Sequence, residues 1–320
     1  MAKEKVIAMF SGGLDSRLVI KMMQEQGLEV IALFFNLPFG SGCCNEGCSF
    51  SFTQKVGVKL HVIDCTKGEL LQEYLEVLKK AKNGRGAGVN PCTDCRIFMF
   101  KHAKKIADKL GIETIVSGEV LSQRPMSQMK SKMLTIEEET GLKGRLFRPL
   151  SAKILEETNI EKKGLVNREE MSDIHGRQRI KQIALAKKYK IDYPDPAGGC
   201  VLCEKLMIKR FELVFKRGLD EEELPLVTVG RQFIIDNAWI ITGRDKKEND
   251  IIEFVAKKTG ELITSDSLNL VGPDAIILNA KKPGKTKITD EIKAATEKII
   301  KAYSKDSEIK DRKEFEKYKL

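Results

Sequence analysis

The sequence predicts an α/β protein that has a doubly wound parallel sheet, then a small α+β module, then a charged C-terminal helix. Short apolar runs alternate with helical segments through the first half of the 320-residue chain. Such alternation is typical of a parallel sheet that is covered by helices on both faces. The pattern changes beyond about residue 205, where runs of β character follow one another. We therefore predict three parts, residues 1–204, 205–283 and 284–320.

Four near-continuous apolar runs predict the parallel strands, and they cover residues 5–10, 29–35, 59–65 and 113–118. Apolar residues at helical spacing predict the intervening helices. These helices are predicted at residues 14–26, 68–82 and 95–110, near 49–56, and later at 175–190. Residues 120–150 are predicted to form a loop and a short strand. Because ligands bind at the carboxyl ends of the strands in a doubly wound sheet, we expect the functional site there.

Antiparallel β-structure is predicted in the second part of the chain. Residues 226–236 and 238–243 flank Asp236-Asn237, and this pattern predicts a β-hairpin. Further β-like runs lie near residues 261–264 and 274–279.

The stretch MFSGGLDSRL, residues 9–18, joins the first predicted strand to the first predicted helix. Adjacent glycines permit positive φ and a close approach of a ligand to the backbone. The amides that open the helix have no internal partners, which favours phosphate binding. The pattern is neither a Walker A motif nor GxGxxG, and the alternative interpretation is a tight turn that merely uses glycine. The candidate phosphate-binding residues are Ser11, Gly12, Gly13, Asp15 and Ser16, and Asp15 is also a candidate magnesium ligand.

Composition predicts a soluble, cytoplasmic protein with a polyanionic partner. The chain is 42% hydrophobic and 32% charged, and no apolar run approaches the roughly 20 residues that span a bilayer, so no membrane association is expected. The formal net charge is +10, and residues 281–320 hold 13 basic and 8 acidic side chains. This balance suits nucleic acid; a solvated, lysine-rich surface is the alternative.

Seven of the eight cysteines fall into three groups. Cys92 and Cys95 form one CxxC pair, Cys200 and Cys203 form another, and the third group is the loop sequence GCCNEGC. Reduced cytosolic cysteines in this spacing predict a zinc site, an iron–sulfur site or a thiol pair that carries a persulfide. A helix that begins near Cys95 would lower the thiol pKa values. The eighth cysteine, Cys65, ends an apolar strand and is expected to be buried and inert.

The motifs SGGLDS, NPCTDCRIFMF, SGEVLSQRPMSQ, FRPLSAK and PAGGCVLC follow one another in this order. In this combination the chain resembles the PP-loop ATP pyrophosphatases, and among them the tRNA thiouridine synthases. It is most similar to the 4-thiouridine synthetase-like branch that uses a CxxC pair and a distant cysteine. The resemblance covers roughly residues 1–215 and implies a PP-loop (HUP-like) fold for the first part.

The resemblance implies an ATP-dependent tRNA sulfurtransferase. The uridine carbonyl oxygen would attack the α-phosphate of ATP, with release of pyrophosphate, and a sulfur nucleophile would then displace AMP. Mg²⁺ and positioned amides would stabilise the developing charge, and Asp15 would take part in catalysis. The residues implied to bind ATP, besides the five of the glycine turn, are Gly118, Glu119, Gln123 and Ser127. A structural carboxylate at a strand end is the alternative role of Glu119.

The iron–sulfur-dependent members of this family imply a 4Fe–4S cluster on Cys92, Cys95 and Cys200, with one iron left to carry reactive sulfide; these thiols would also be catalytic. Cys203 departs from the related pattern PAGGCLLTD, in which a threonine stands at that place. It would either complete a four-thiolate site or be a bystander, which we favour because a fourth thiolate would block the open iron. For Cys43, Cys44 and Cys48 the possible roles are a second metal, a sulfur relay or a local structural function.

The implied partners are tRNA and a sulfur donor, which would be sulfide or the persulfide of a cysteine desulfurase; a homodimer is possible. From the sequence we expect no RNA-binding module ahead of the first strand and no appended rhodanese-like domain. The segment VGRQFIIDNAWIITGRDKKENDIIEFV is similar to the NFACT-type RNA-binding module, and the alternative is a basic hairpin with solvated ends. The implied RNA-binding residues are Arg231, Arg244, Lys246 and Lys247.

Two other functions remain open from the sequence. The first is a PP-loop ligase acting on a small molecule, similar to a 7-cyano-7-deazaguanine synthase with structural zinc. The second is a non-catalytic RNA-binding protein that retains a nucleotide-binding fold. The basic tail and the SGEVLSQRPMSQ segment argue against the first, and the intact SGGLDS argues against the second.

Overall fold

The computed structural model describes residues 3–40, 46–194, 200–308 and 312–320. The chain forms two compact units, Met1–Cys200 and Val201–Leu320. The three-part division predicted from the sequence stays a prediction. Within the described residues, no helix is long and apolar enough to cross a membrane.

Five strands and seven helices make up the described part of the first unit. The strands are β1 (Lys5–Phe10), β2 (Glu29–Asn36), β3 (Lys59–Asp64), β4 (Thr114–Ser117) and β5 (Leu146–Phe147). The helices are α1 (Leu14–Glu25), α2 (Glu46–Lys55), α3 (Gly68–Lys80), α4 (Cys92–Leu110), α5 (Lys130–Thr140), α6 (Asn159–Lys162) and α7 (Ile180–Tyr189).

The five strands form one parallel sheet in the order β3-β2-β1-β4-β5. Strand β1 is central, and its last five residues are buried because helices cover both faces of the sheet. The chain order reverses between β1 and β4, where Met9 pairs with Ser117. A crevice opens at the carboxyl ends of two such strands, so the fold places the functional site after β1 and β4. The predicted doubly wound fold is confirmed.

Helix α5 corrects the prediction of loop and short strand for residues 120–150. This helix is largely polar and buries only a narrow stripe, which consists of Met133, Ile136 and Thr140. Helix α4 begins three residues before the predicted helix at residue 95, and α7 begins only at Ile180 rather than at residue 175. These differences lie at helix ends and in a weakly amphipathic segment, where sequence periodicity is least informative.

The second unit holds a small antiparallel sheet with helices. Its strands are β6 (Arg231–Ile235), β7 (Ala238–Thr242), β8 (Glu261–Ile263) and β9 (Ala275–Asn279), in the order β6-β7-β9-β8. Its helices are α8 (Met207–Arg217), α9 (Lys246–Ala256), α10 (Asp290–Tyr303) and α11 (Lys313–Glu316). The predicted hairpin is present as β6 and β7, but residues 221–227 form a 3₁₀ helix instead of the start of its first strand.

The charged C-terminal segment is not a single helix. Helix α10 ends at Tyr303, and the short α11 follows. Ile292, Ile299 and Ile300 of α10 belong to the same buried cluster as Phe233 and Ile240 of the sheet. Although α10 is rich in lysine, one side of it is apolar and packs on the sheet. This helix therefore contributes to the core of the second unit.

A fully buried ion pair braces the second unit. The Arg217 guanidinium makes two hydrogen bonds to the Glu223 carboxylate, at 2.6 and 3.0 Å, and both side chains are at most 1% exposed. The same guanidinium lies 4.8 Å from the ring centroid of Trp239, itself fully buried. The pair thus neutralises two charges beneath the sheet and joins the end of α8 to the following 3₁₀ helix.

We expect Arg217→Met to destabilise the second unit by about 3–5 kcal/mol, because it leaves the buried Glu223 carboxylate without its cation. Urea unfolding followed by Trp239 fluorescence measures this, since the chain has one tryptophan. Lys246→Met is the matched control: the Lys246 side chain is 90% exposed and lies 3.5 Å from the exposed Asp250 one helical turn away, so its loss should cost less than about 1 kcal/mol. Equal effects of the two variants would contradict the prediction.

Candidate active site

The glycine turn between β1 and α1 presents open backbone amides. Gly12 has φ +76°, a conformation that favours glycine, and Gly13 is the extended N-cap of α1 without a side-chain cap. The Ser16 hydroxyl donates to the Gly13 carbonyl at 2.9 Å and accepts from the Ser11 amide at 3.3 Å. This turn can hold an anion such as phosphate on α1, where the helix dipole favours negative charge.

Gly118, immediately after β4, lies against the first turn of α1. A Cβ atom at this position would lie 2.8 Å from the Asp15 carbonyl carbon and 2.9 Å from the Ser16 nitrogen. Both contacts are with backbone atoms, so no flexible side chain can give way. The absence of a Cβ at residue 118 therefore allows β4 and the glycine turn to meet at the switch point of the sheet.

Two glutamines connect Asp15 to the loop after β4 and to α7. Gln123 donates to Asp15 Oδ2 at 2.8 Å, and Gln182 donates to Gln123 Oε1 at 3.1 Å. Gln123 is 9% exposed and Gln182 is fully buried. Gln123 therefore lies beside the glycine turn, and its role in ATP binding stays a prediction. The sequence analysis missed Gln182 because nothing in the local pattern of α7 marks it.

Burial raises the pKa of Asp15, and the Gln123 hydrogen bond and the nearby Arg179 and Arg124 only partly offset this effect. Its second oxygen, Oδ1, is buried without a hydrogen-bond partner. An unsatisfied carboxylate oxygen next to a phosphate-binding turn is a suitable ligand for Mg²⁺. Asp15 thus fits the cation that the resemblance implies.

Glu119 is a buried structural charge. It is 1% exposed, its Oε2 accepts from Arg148 Nε at 3.0 Å, and its Oε1 lies 3.6 Å from Arg96 Nε. Arg148 also pairs with Glu137. These contacts favour the structural role of Glu119 that the sequence left as the alternative. Ser127 is 2% exposed in the loop that follows.

Arg17, the residue after SGGLDS, also contributes to the site although the sequence analysis did not select it. It is 6% exposed, and its Nε donates to the Gly12 carbonyl at 2.6 Å. Its Nη1 donates to the Asp192 carbonyl at 2.7 Å and its Nη2 to Cys48 Sγ at 3.2 Å. Arg17 therefore fixes the orientation of the Gly12 peptide and connects α2 and the end of α7 to the phosphate-binding turn.

Helix α4 begins at the CxxC pair and is tied to the loop that contains Gln123. Cys92 and Cys95 are its first and fourth residues, a spacing that places them on one face of the helix. Between them, the Thr93 hydroxyl donates to the Met126 carbonyl at 2.6 Å, and Asn90 donates to Cys92 Sγ at 3.3 Å. The CxxC pair thus lies at the carboxyl edge of the sheet, as the glycine turn does.

Tyr74 of α3 lies among three thiols. Its hydroxyl is 3.7 Å from Cys95 Sγ. Burial raises the pKa of Tyr74, and Cys95, Cys200 and Cys65 each raise it further. The Cys200 thiol also donates to the Phe39 carbonyl at 2.9 Å, in the loop after β2. Tertiary structure therefore brings Cys200 to the neighbourhood of the CxxC pair around Tyr74, a residue that the sequence analysis did not select.

The expected effect of α4 on thiol acidity is wrong for Cys95. Desolvation raises the pKa of this thiol, and the opposing effects of the Tyr74 hydrogen bond and of Arg96 do not outweigh it. Burial likewise raises the pKa of Cys65 to about 12, which agrees with the inert thiol predicted there. Without a bound cation, the surroundings of these two thiols favour the protonated form.

The remaining cysteines are distributed as follows. Cys48 lies in α2 and accepts the hydrogen bond from Arg17, Cys203 ends a 3₁₀ helix of the second unit, and Cys43 and Cys44 lie outside the described residues. Among the residues that the structure describes, no group of three or more His, Cys, Asp or Glu side chains is arranged to hold a metal ion.

The four cations predicted to bind RNA differ in their availability. Arg231 donates to the Gly243 carbonyl at 2.9 Å and stacks 4.4 Å from the Tyr303 ring centroid. Arg244 pairs with Glu248, and Lys246 lies 3.5 Å from Asp250. Lys247 is exposed. Their role in RNA binding stays a prediction, and the two arginines already serve contacts within the unit.

The parallel sheet with a glycine turn at its switch point defines an α/β protein of the PP-loop class. The sequence profile described as "Thiamine biosynthesis protein (ThiI)" matches residues 1–163, just over half of the chain. The chain belongs to the ThiI family.

Curated relatives match part of the chain. The chain is 31% identical over 122 residues to a tRNA-specific 2-thiouridylase MnmA of Synechococcus, which is 37% of this chain and 33% of that protein. It is 32% identical over 151 residues to a probable tRNA sulfurtransferase of Thermococcus kodakarensis, 46% of this chain and 36% of that protein. The chain thus spans about a third of the length of these relatives.

Among solved structures, a predicted tRNA methyltransferase subunit from Methanocaldococcus jannaschii is similar over 51% of this chain and 72% of that chain. The sequence identity is 16% and the TM-score is 0.33, values too low to bear on function.

We expect Gly118→Ala to lower ATP-to-AMP turnover by about a hundredfold, because the new Cβ displaces the first turn of α1 from the bound phosphates. Gly40→Ala is the matched control, since a Cβ there would meet its nearest neighbour at 3.5 Å, an ordinary contact distance. Turnover and ATP affinity are measured alongside the circular dichroism spectrum. Normal turnover in Gly118→Ala would contradict the assigned close approach.

We expect Asp15→Asn to stabilise the ligand-free protein at pH 7. The folded pKa of Asp15 is raised above its ordinary value of 3.8, so the folded state holds the proton more tightly and stability falls as pH rises through this interval. Asparagine removes the buried charge and still accepts from Gln123. Thermal unfolding at pH 7 and pH 4 should show a gain over wild type that shrinks at the lower pH. A gain independent of pH would contradict the assignment.

Proposed function

We propose that this protein is an ATP-dependent tRNA sulfurtransferase, which adenylates the carbonyl oxygen of a uridine and then replaces that oxygen by sulfur. The observation that carries the proposal is the position of two functional groups at one edge of one sheet. The glycine turn follows β1. At the same edge, Cys95 Sγ lies 3.7 Å from the Tyr74 hydroxyl, and the Cys200 thiol donates to the Phe39 carbonyl in the loop after β2.

In the first step, the glycine turn holds the phosphates of ATP. The amides of Gly13 and the first turn of α1, with the hydroxyls of Ser11 and Ser16, would bind the pyrophosphate moiety. Asp15 Oδ1 would bind the accompanying Mg²⁺, which lowers the charge on the phosphates. The uridine oxygen attacks the α-phosphorus, the bond from this phosphorus to the bridging oxygen breaks, and pyrophosphate leaves with the electron pair.

In the second step, a sulfur nucleophile attacks the carbon that carries the adenylated oxygen. The carbon–oxygen bond breaks, AMP leaves and the base keeps sulfur. The donor is hydrosulfide or the outer sulfur of a cysteine desulfurase persulfide. In the persulfide case, a second thiol must attack the inner sulfur, so that the S–S bond breaks, a disulfide forms and the thiolated base is released. Arg17 fixes the Gly12 peptide, and Gln123 and Gln182 hold Asp15, so the residues that bind the leaving groups are preorganised.

We also propose that Cys92, Cys95 and Cys200 hold a 4Fe–4S cluster. The donor set fits in kind: Cys92 and Cys95 share one face at the start of α4, and Cys200 lies near Tyr74 with Cys95. Such a cluster would supply sulfide to the activated carbon. The raised pKa of Cys95 makes a compensating cation favourable, because a positive centre stabilises the thiolate that burial disfavours.

Transfer RNA is proposed as substrate on two grounds. Two relatives that match part of the chain are described as a tRNA-specific 2-thiouridylase and a probable tRNA sulfurtransferase. The chain also carries a net charge of +10, which suits a polyanion.

The test is anaerobic purification with iron and sulfide analysis, followed by turnover of ATP and mass spectrometry of the nucleosides of added tRNA. We expect AMP to form only with tRNA, and thiouridine to appear with hydrosulfide. Cys92→Ala and Cys200→Ala should each lose the brown chromophore and thiolation. Cys65→Ala is the matched control, because Cys65 is a fully buried thiol at a strand end, and it should keep both. Asp15→Ala should abolish AMP formation with the iron content unchanged.

Three results would contradict specific parts of the proposal. Loss of the cluster in Cys203→Ala would overturn the three-thiolate assignment. Zinc without iron, together with AMP formation on a small carboxylate instead of tRNA, would favour the small-molecule ligase. Tight tRNA binding without any AMP would favour a non-catalytic RNA-binding protein.

A further inference from the structure

A basic cavity in the second unit is not explained by the contacts that build the unit. It has a volume of about 490 Å³ and lies where the β6–β7 turn, the end of β9 and the start of α10 come together. Lys281, Lys282 and Lys287 line it, together with one carboxylate, Asp236. All three lysines are exposed, and within the described residues none of them forms an ion pair. We call these three residues the lysine triad.

The backbone that carries Lys281 and Lys282, two of the three lysines, is held by hydrogen bonds to nearby side chains. Asn279 Oδ1 accepts from the amides of Lys281 and Lys282, at 2.8 and 3.3 Å. Arg217 donates to the Lys282 carbonyl at 3.0 Å, and Glu223 accepts from the Gly284 amide at 2.8 Å. The buried ion pair of the second unit thus also fixes the turn at residues 279–284.

A second anchor joins this turn to the hairpin. The Ala280 amide donates to the Asn237 carbonyl at 2.9 Å, so the hairpin turn and the end of β9 form one rigid rim. A rigid turn that projects unpaired cations loses little backbone entropy when it binds an anion.

We propose that the lysine triad binds the phosphodiester backbone of RNA, an inference that rests on the proposed action on tRNA and names its contact surface. Three lysines against the single carboxylate Asp236 give the cavity wall a net positive charge. Phosphates attract ammonium groups without demanding a fixed hydrogen-bond geometry. Of the four cations first expected to bind RNA, Arg231 and Arg244 use donors on Gly243 and Glu248, whereas no side chain of the lysine triad forms an ion pair within the described residues.

The test compares two triple variants of equal charge in the full-length protein. One replaces the lysine triad by glutamine, as Lys281→Gln, Lys282→Gln and Lys287→Gln. The matched control replaces three exposed lysines of the second unit outside the cavity, as Lys216→Gln, Lys257→Gln and Lys298→Gln. Equilibrium binding to unmodified tRNA is measured from 0.05 to 0.3 M salt without ATP or sulfur donor, and Trp239 fluorescence checks the fold.

We expect the lysine-triad variant to bind tRNA roughly tenfold more weakly at 0.1 M salt, and its plot of log affinity against log salt to lose about two to three units of slope. The control should keep at least most of the wild-type slope. Equal losses in both variants would show an effect of net charge alone and overturn the inference. Unchanged tRNA binding would also overturn the inference, even if the variant no longer bound inorganic phosphate or polyglutamate.

The two proposals fail in different ways. A protein that binds tRNA through the lysine triad but forms no AMP would contradict the sulfurtransferase and leave this surface intact. A protein that thiolates tRNA while the lysine-triad variant binds it normally would contradict this surface and leave the activity intact.

Discussion

The site depends on one close approach of backbone to backbone, where residue 118 at the end of β4 touches the first turn of α1. The contact is possible because residue 118 lacks a Cβ, which would otherwise lie 2.8 Å from the Asp15 carbonyl carbon. It brings β4 and α1 together at the switch point of the sheet. The loop after β4 can then place Gln123 within hydrogen-bond distance of the Asp15 carboxylate. The phosphate-binding turn, the loop after β4 and α4 are therefore positioned by a single constraint.

Desolvation is the second organising influence in the first unit. It raises the pKa of Asp15, of Cys95 and of Tyr74, although polar partners or nearby cations oppose it at Asp15 and Cys95. These groups favour their neutral forms when nothing is bound. A cation bound beside these groups would favour their charged forms instead. Such a site is suited to chemistry that begins only when its substrates are present.

In the second unit, some charged side chains are buried in ion pairs and others are exposed to solvent. Arg217 and Glu223 are buried and neutralise each other while they brace the backbone. Lys281 and Lys282 lie on that backbone, and all three residues of the lysine triad are exposed. Arg231 and Arg244 look equally basic in the sequence, yet a ring and a carboxylate already hold them. Net charge alone therefore does not indicate which basic side chains are available to bind a polyanion.

The sequence by itself determined the parallel sheet, the glycine turn after β1 and the cysteine pairs, because each is encoded by residues that are close together in the chain. Only tertiary structure decided what those residues meet. It placed Tyr74 near thiols that are distant in the sequence. It also brought Gln182 into hydrogen-bond contact with Gln123, the partner of Asp15, and paired Glu119 with the buried Arg148. It also reversed the expected acidity of Cys95. These outcomes depend on burial and on contacts across the chain, which local patterns of residues do not specify.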